Sequence, residues 1–221
     1  MYLSMCCWDV HTHRCGSSKE AIRNVILGRE PMPEGEGACS VGIHPWFIPS
    51  HWQEELGQLA QLLAEDRRIV AIGECGLDSL ASAELSLQRE VLVAQVLLAE
   101  KWKLPMLLHV VKTHSELLAV RKQLSARMPW VIHGFRGKPE LARQYVAAGC
   151  YLSFGARFNP AVPPMVPADR ILLETDESEQ TIDQIAACVA QSCQIDVETL
   201  KHRIVSNTQR LFFGHRDCLF G

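Results

Sequence analysis

Short runs of β-branched and other apolar residues alternate along this chain with longer segments whose apolar residues recur every three or four positions. That is the pattern of βα units laid around a parallel sheet. Eight runs read as strands: Leu3 to Val10, Ala21 to Leu27, Ala38 to Ile43, Ile69 to Gly73, Met106 to Val110, Trp130 to His133, Cys150 to Phe154 and Arg170 to Leu173. Eight such units predict an α/β protein of the (β/α)8 TIM-barrel class. With 221 residues and 48% hydrophobic content, the chain is long enough to bury one core, so a single domain over residues 1–221 is expected.

The helices between the later strands carry apolar stripes. Trp52 to Asp66 aligns Leu56, Leu59, Leu62 and Leu63; Ala83 to Trp102 aligns Leu87, Val91, Ala94, Leu98 and Trp102; Thr113 to Met128 aligns Leu117, Leu118 and Leu124. Pro139 opens a further helix, where a missing N–H costs little, and Gly149 closes it. Two more, Thr181 to Gln194 and Asp196 to Ser206, follow the last strand. The first and second strands lie too close together for a crossover helix, which with its turns needs about ten to twelve residues. The stretch GREPMPEGEGA reads as an irregular loop where the second helix belongs. The first two helices are therefore expected to be shortened or missing.

Six residues able to ligate a metal stand at the predicted C-terminal ends of these strands: His11 and His13 in DVHTHR, Glu74 in VAIGECGLD, His109 in LPMLLHV, His133 in WVIHGF and Asp176 in RILLETDE. In a (β/α)8 barrel these ends open on one face, so residues remote in sequence converge there. His11 and His13, two apart on one strand, project to one side, where two imidazoles can bind one ion. Glu74 can bridge two ions, His109 and His133 can ligate the second, and Asp176 can ligate the first and take a proton from an attacking water. Taken singly, each has an ordinary reading: a hydrogen-bonded rim histidine, a salt-bridged carboxylate, or an aspartate capping a helix. Six ionisable groups at strand ends that would otherwise be apolar favour a two-metal hydrolase site, with Glu74 and Asp176 as its catalytic carboxylates.

Composition narrows the setting. A net charge of −3 argues against a protein that coats duplex DNA, because such binding rests on neutralising many phosphates. No apolar run approaches the ~20 residues of a membrane span, and the N-terminus lacks the pattern of a signal peptide. The nine cysteines are scattered, without a Cys-x-x-Cys pair, and fit reduced thiols in a cytoplasm. A cytoplasmic protein with no membrane contact and no obligate protein partner is expected. Cys15 and Cys75 lie near the candidate ligands, either as soft ligands or as idle thiols.

The segments DVHTHR, VGIHPW, IGECGLD, QREVLVAQ, LPMLLH, VIHGFRG, YLSFG, ILLETD and SNTQRLF, in this order over nearly the whole chain, resemble the TatD family of metal-dependent hydrolases. The resemblance implies a TIM-type barrel, a divalent-metal site and hydrolysis of phosphodiester bonds in DNA. It makes His11, His13, Glu74, His109, His133 and Asp176 the metal ligands, and His44 a residue that faces the substrate or supports the ligands. The chain departs from the family's pattern in HGFRG, VVKTH and ESEQT, segments that would surround the substrate.

Four imidazoles with two carboxylates suit two divalent ions such as Zn or Mn, and Mg where oxygen donors dominate. A phosphate also needs cations at the rim. Arg14, Lys112, Arg136, Lys138 and Arg157 follow strands; each alone reads first as solvated loop charge. Arg136 is the preferred phosphate contact, since a guanidinium can hold two oxygens at once. Trp46 and Phe47 can stack on an unpaired base or pack in the rim. The expected substrates are DNA strand ends or small phosphodiesters. The alternative keeps the metals but attacks a carbonyl, as an amidohydrolase or a carboxylic or aminoacyl esterase. A non-catalytic metal-binding protein is the third reading.

Overall fold

The computed structural model describes residues 8–14 and 19–214. Its eight strands are β1 (Asp9–Thr12), β2 (Ala21–Ile26), β3 (Cys39–Gly42), β4 (Ile69–Asp78), β5 (Met106–Val111), β6 (Trp130–Ile132), β7 (Tyr151–Phe154) and β8 (Ile171–Leu173). They follow chain order in one sheet. Six helices accompany them: α1 (Trp52–Glu65), α2 (Leu85–Trp102), α3 (His114–Leu124), α4 (Pro139–Ala147), α5 (Ile182–Ser192) and α6 (Val197–Thr208). This is the expected alternation of an α/β protein of (β/α)8 type. Residues 3–7 of the first predicted strand lie outside the described residues, and so does Cys15.

The chain divides into two compact units, one drawn from Met1–Ile22 and His133–Gly221, the other Arg23–Ile132. In the second unit the parallel pairs β2 with β3, β3 with β4, β4 with β5 and β5 with β6 run in sequence. Residues 27–38 form turns rather than a helix, as the proline and glycine content of that stretch dictates. Arg68 holds this loop: Nη1 donates to the carbonyls of Pro33 and Gly35, both at 2.6 Å, while Nε and Nη2 engage Asp66. In the first unit β7 pairs with β8, and β1 meets the segment after β8 through a parallel bridge between Thr12 and Asp176. Only single 3-10 turns, Pro163–Met165 and Ala168–Arg170, separate β7 from β8. Pro160, Pro163, Pro164 and Pro167 leave no room for an uninterrupted helix there.

The buried face of α2 differs from the predicted leucine stripe. It consists of Gln88, Val91, Leu92, Gln95, Val96 and Ala99, rotated so that two glutamines point inward. Each is satisfied by backbone. Gln95 Oε1 accepts from the Ile43 N–H at 2.8 Å, and its amide donates to the Ile43 carbonyl at 3.2 Å. Gln88 Oε1 accepts from the Asp78 N–H at 2.8 Å, and its amide donates to the Asp78 carbonyl at 3.0 Å. Seven residues, two helical turns, separate the two, so one helix face pins the ends of β3 and β4. A simple apolar-period reading has no means of preferring glutamine on the inner face.

The closing helices are capped as their sequences require. Thr181 forms a capping box with Gln184, and Asp196 accepts from the Thr199 N–H. Asn207 of α6 donates to the carbonyls of Ala168 at 2.8 Å and Ile171 at 2.9 Å, fixing where β8 begins. Among the described residues no helix is long and apolar enough to cross a membrane.

Replacing Gln95 with Leu preserves volume but strands a buried N–H and a buried C=O at Ile43. Each unsatisfied group costs about 1–3 kcal/mol, so the urea midpoint of the Gln95→Leu variant should fall by the equivalent of about 2 kcal/mol or more. A midpoint like that of the wild type would show that the clamp is energetically idle.

Candidate metal centre

In the unit of residues 23–132 the ligand set is built on an irregular strand. Glu74 was expected at the end of its strand, but β4 continues to Asp78. The register explains how it is aimed: Ile72 pairs with Met106 and Cys75 with Leu108, so β4 carries one residue more than β5 across that interval. Such a bulge turns a side chain out of the normal alternation, and bulges recur beside active sites. Gly73 and Gly76 permit it. Both have positive φ, 156° and 145°, and a Cβ would come within 2.5 Å of the Leu107 carbonyl oxygen at Gly73 and 2.0 Å of the His109 carbonyl oxygen at Gly76.

His109 places Nδ1 at 2.8 Å from Glu74 Oε1, and its Nε2 engages Asp78 Oδ2 at 2.9 Å. A ligating histidine characteristically gives its other ring N–H to a carboxylate, which fixes tautomer and orientation. Asp78 has that place behind His109. It is fully buried. Burial opposes its ionisation, yet the bonds from His109, the Leu80 N–H and the Trp46 indole hold its carboxyl below the usual carboxylate range. His44 Nε2 lies 3.2 Å from the same Glu74 oxygen, and His44 Nδ1 accepts from the Trp46 N–H at 3.1 Å. With Nδ1 accepting, a neutral His44 carries its proton on Nε2. Although it clusters with Glu74 and His109, it is therefore a hydrogen-bond donor to Glu74 rather than a lone-pair ligand.

In the unit containing β1, β7 and β8, the Nε2 atoms of His11 and His13 each lie 3.9 Å from Asp176 Oδ1. Two or three donors so spaced suit an ion bound at ~2.0–2.2 Å from each. The His11 and His133 rings are 4.4 Å apart, centroid to centroid. His133 Nδ1 engages Glu174 Oε1 at 3.3 Å, and that oxygen also accepts from the Gly134 N–H at 2.6 Å. His133 Nε2 is the nitrogen turned away from Glu174 and the candidate donor to an ion. Burial pushes the Glu174 carboxyl up and the charge of Asp176 adds to that push, while His133 and Ser153 oppose it.

Asp176 has φ 54°, a left-handed backbone that a non-glycine residue adopts only when its surroundings enforce it. Strand β1 enforces it: the Asp176 N–H donates to the His11 carbonyl at 2.9 Å and its carbonyl accepts from the His13 N–H at 3.4 Å. Asp9 completes the junction, accepting from the Thr175 N–H at 3.0 Å and the Thr175 hydroxyl at 2.6 Å. Burial pushes the Asp9 carboxyl up to about 6, against those two bonds.

Within their respective units, then, His11, His13, His133 and Asp176 come together, as do Glu74, His109 and His44. Arg136 and Arg157 are exposed and line, with Asp176, a cavity of about 460 Å³. Lys112 is exposed just beyond β5 and belongs to neither ligand set; Lys138 caps α4. The Arg14 guanidinium donates to the Ser178 carbonyl. Cys75 is fully buried, its thiol pushed up by burial and then by Glu74, and it faces the Leu107 carbonyl at 3.8 Å; it is an idle thiol. Sequence reasoning missed Asp78, Glu174 and Asp9. The signal was present: each is an acid within four residues of a candidate ligand, in or beside an apolar strand where a carboxylate has no reason to be unless it is bonded.

The family model for TatD related DNase matches residues 14–213. The 3'-5' ssDNA/RNA exonuclease TatD of Cronobacter sakazakii is 32% identical over 177 residues, covering 70% of this chain and 66% of that protein, slightly under two thirds of its length. YjjV of Escherichia coli, named as an uncharacterized metal-dependent hydrolase, is 28% identical over 196 residues, 79% of this chain and 76% of that one. The crystal structure of a TatD family hydrolase from Entamoeba histolytica aligns with a TM-score of 0.80 at 17% identity, covering 96% of this chain and 99% of that one. At that identity the likeness establishes the fold.

Glu174→Gln keeps the shape of the side chain and its bond from Gly134 but removes the charge behind His133. Losses of such supporting partners cost about 10–100-fold in metal affinity. Calorimetric titration with Zn or Mn should show a loss in that range with little change in melting temperature; unaltered affinity would mean that Glu174 does not support a ligand.

Proposed function

The chain belongs to the TatD related DNase family, and from that membership and the two ligand sets we propose that it is a phosphodiesterase that hydrolyses nucleic acid strand ends with two divalent metal ions. The observation that carries this reading is the pairing inside each unit: a histidine with one ring nitrogen against a buried carboxylate, Asp78 at His109 and Glu174 at His133. Buried carboxylates set behind histidines are the construction of a metal site, and the donors present fit such ions.

His11, His13, His133 and Asp176 would hold one ion, and Glu74 with His109 the other. In a (β/α)8 fold the strand ends open on one face, the place from which residues of this kind serve catalysis. When bound, such ions lower the pKa of water to near neutrality and offset the charge that develops on phosphate. The protein's own groups do the rest. Asp176, its backbone fixed by β1, takes the proton of the attacking water. The Nε2 proton of His44 orients Glu74, and the ring stands beside the place the substrate would take. Arg136, on the cavity that Asp176 also lines, holds non-bridging phosphate oxygens, with Lys112 as a further cation. Zn, Mn and Mg are the candidate ions. A cytoplasmic setting fits nine scattered cysteines without a Cys-x-x-Cys pair.

Asparagine tolerates a left-handed backbone as well as aspartate does, so Asp176→Asn should fold normally while kcat on single-stranded DNA falls by about 10²–10⁴. Retained turnover would remove Asp176 as the base. Metal analysis should find two ions per chain, one lost in His13→Ala and the other in His109→Ala, and chelation should abolish activity that Mn, Mg, Zn or Co restores. Parallel assays on carboxylic ester and amide panels separate the readings: hydrolysis of those substrates with none of DNA would overturn the phosphodiester assignment.

A further inference from the structure

Trp46 is 53% exposed beside the set of Glu74 and His109, and yet it is held at both ends. Its indole Nε1 donates to Asp78 Oδ2 at 2.6 Å, the same oxygen that receives His109 Nε2 at 2.9 Å. Its backbone N–H donates to His44 Nδ1. The ring stands edge-on to His44, at 5.6 Å and 89°, and to His109, at 5.8 Å and 74°. An indole held through Nε1 and about half exposed still offers ring surface to solvent, and because it is already oriented it loses little rotamer freedom when something covers it. Next to it, the Arg29 guanidinium lies over the Phe47 ring, 4.8 Å from its centroid. A guanidinium stacked in this way keeps N–H groups at its rim for an anion.

We propose that Trp46 determines specificity by stacking on the unpaired base of the terminal nucleotide, and that Arg29, laid on Phe47, holds a phosphate farther along the same strand. Aromatic faces combined with cations are how single strands are bound without regard to sequence. A base inside a duplex has both faces covered by its neighbours, so an exposed, fixed indole selects a frayed or single-stranded end. Because one oxygen of Asp78 holds both the indole and His109, the stacked base is registered to a metal ligand. The proposal rests on the phosphodiesterase reading above and adds to it the residues that choose the strand end.

The test compares kcat/KM on matched single-stranded oligonucleotides that end in a normal or an abasic nucleotide, for wild type, Trp46→Phe and Trp46→Ala. Stacking of one base is worth about 1–3 kcal/mol, so the wild type should prefer the base-bearing end by about tenfold. Trp46→Ala should collapse that ratio toward one, and Trp46→Phe, which keeps a ring, should preserve most of it. A ratio unaltered in Trp46→Ala, or equal losses on both substrates with the ratio intact, would overturn the proposal and leave Trp46 a structural support of Asp78. Arg29→Ala should flatten the log–log dependence of single-strand affinity on salt by about 0.7, the share of one phosphate; an unchanged slope removes Arg29 from the track.

A binding readout separates this proposal from the reading beneath it. In the Asp176→Asn background, a short single strand should quench tryptophan emission, and the added Trp46→Phe change should remove that quenching. If it does so while the wild-type protein hydrolyses no strand with any metal, the stacking platform stands and the phosphodiesterase reading falls. If Trp46→Phe leaves the quenching in place, the platform falls whatever the activity.

Discussion

Each unit buries a carboxylate directly behind a histidine: Asp78 behind His109 and Glu174 behind His133. A carboxylate removed from water is costly unless it is bonded, and the local architecture can be read as the provision of those bonds. Asp78 collects three donors, from His109, Trp46 and the Leu80 N–H. Glu174 takes the Gly134 N–H as well as His133. The histidines gain a fixed tautomer and a fixed plane, so the remaining ring nitrogen of each has a set direction.

Backbone irregularity serves the same end. The bulge between Ile72 and Cys75 turns Glu74 toward His109, and the glutamines of α2 pin the two backbone positions from which the site departs, Ile43 before His44 and Asp78 itself. In the other unit, the bridge between Thr12 and Asp176 and the bonds of Asp9 to Thr175 tie the first strand to the last ligand. Side-chain and main-chain constraints therefore converge on the same few residues, and the bonds from β1 hold the positive φ that aspartate tolerates at position 176.

Much of this was legible in the residue pattern, because strand and helix periodicities differ and because histidines at apolar strand ends are conspicuous. The eight strands, the helices after β3 and the turn-rich stretch 27–38 could be read in this way. Three kinds of feature could not. The extent of β4 was hidden because a bulged, glycine-bearing strand breaks alternation at the residue that matters. The inner face of α2 was misplaced because Gln88 and Gln95 are polar by type and buried by partner, and a partner is a tertiary fact. Asp78, Glu174 and Asp9 were passed over because which histidine a carboxylate supports is a tertiary fact, although an acid in or beside an apolar strand was a signal that it is bonded. The motifs QREVLVAQ and SNTQRLF were recognisable as strings before their meaning was; the structure gives it, in the paired clamps of Gln88 and Gln95 and in the hold of Asn207 on the start of β8.

The left-handed backbone at position 176 also bears on how such a centre can change over generations. Only glycine, asparagine and aspartate settle in that conformation at small cost, and glycine brings no acid. A glutamate there would retain the acid but meet the strain and lengthen the arm, and histidine would alter both charge and reach. A residue at this position must therefore tolerate that backbone while keeping a short carboxylate, so substitutions should gather in the loops around Asp176 sooner than at Asp176 itself.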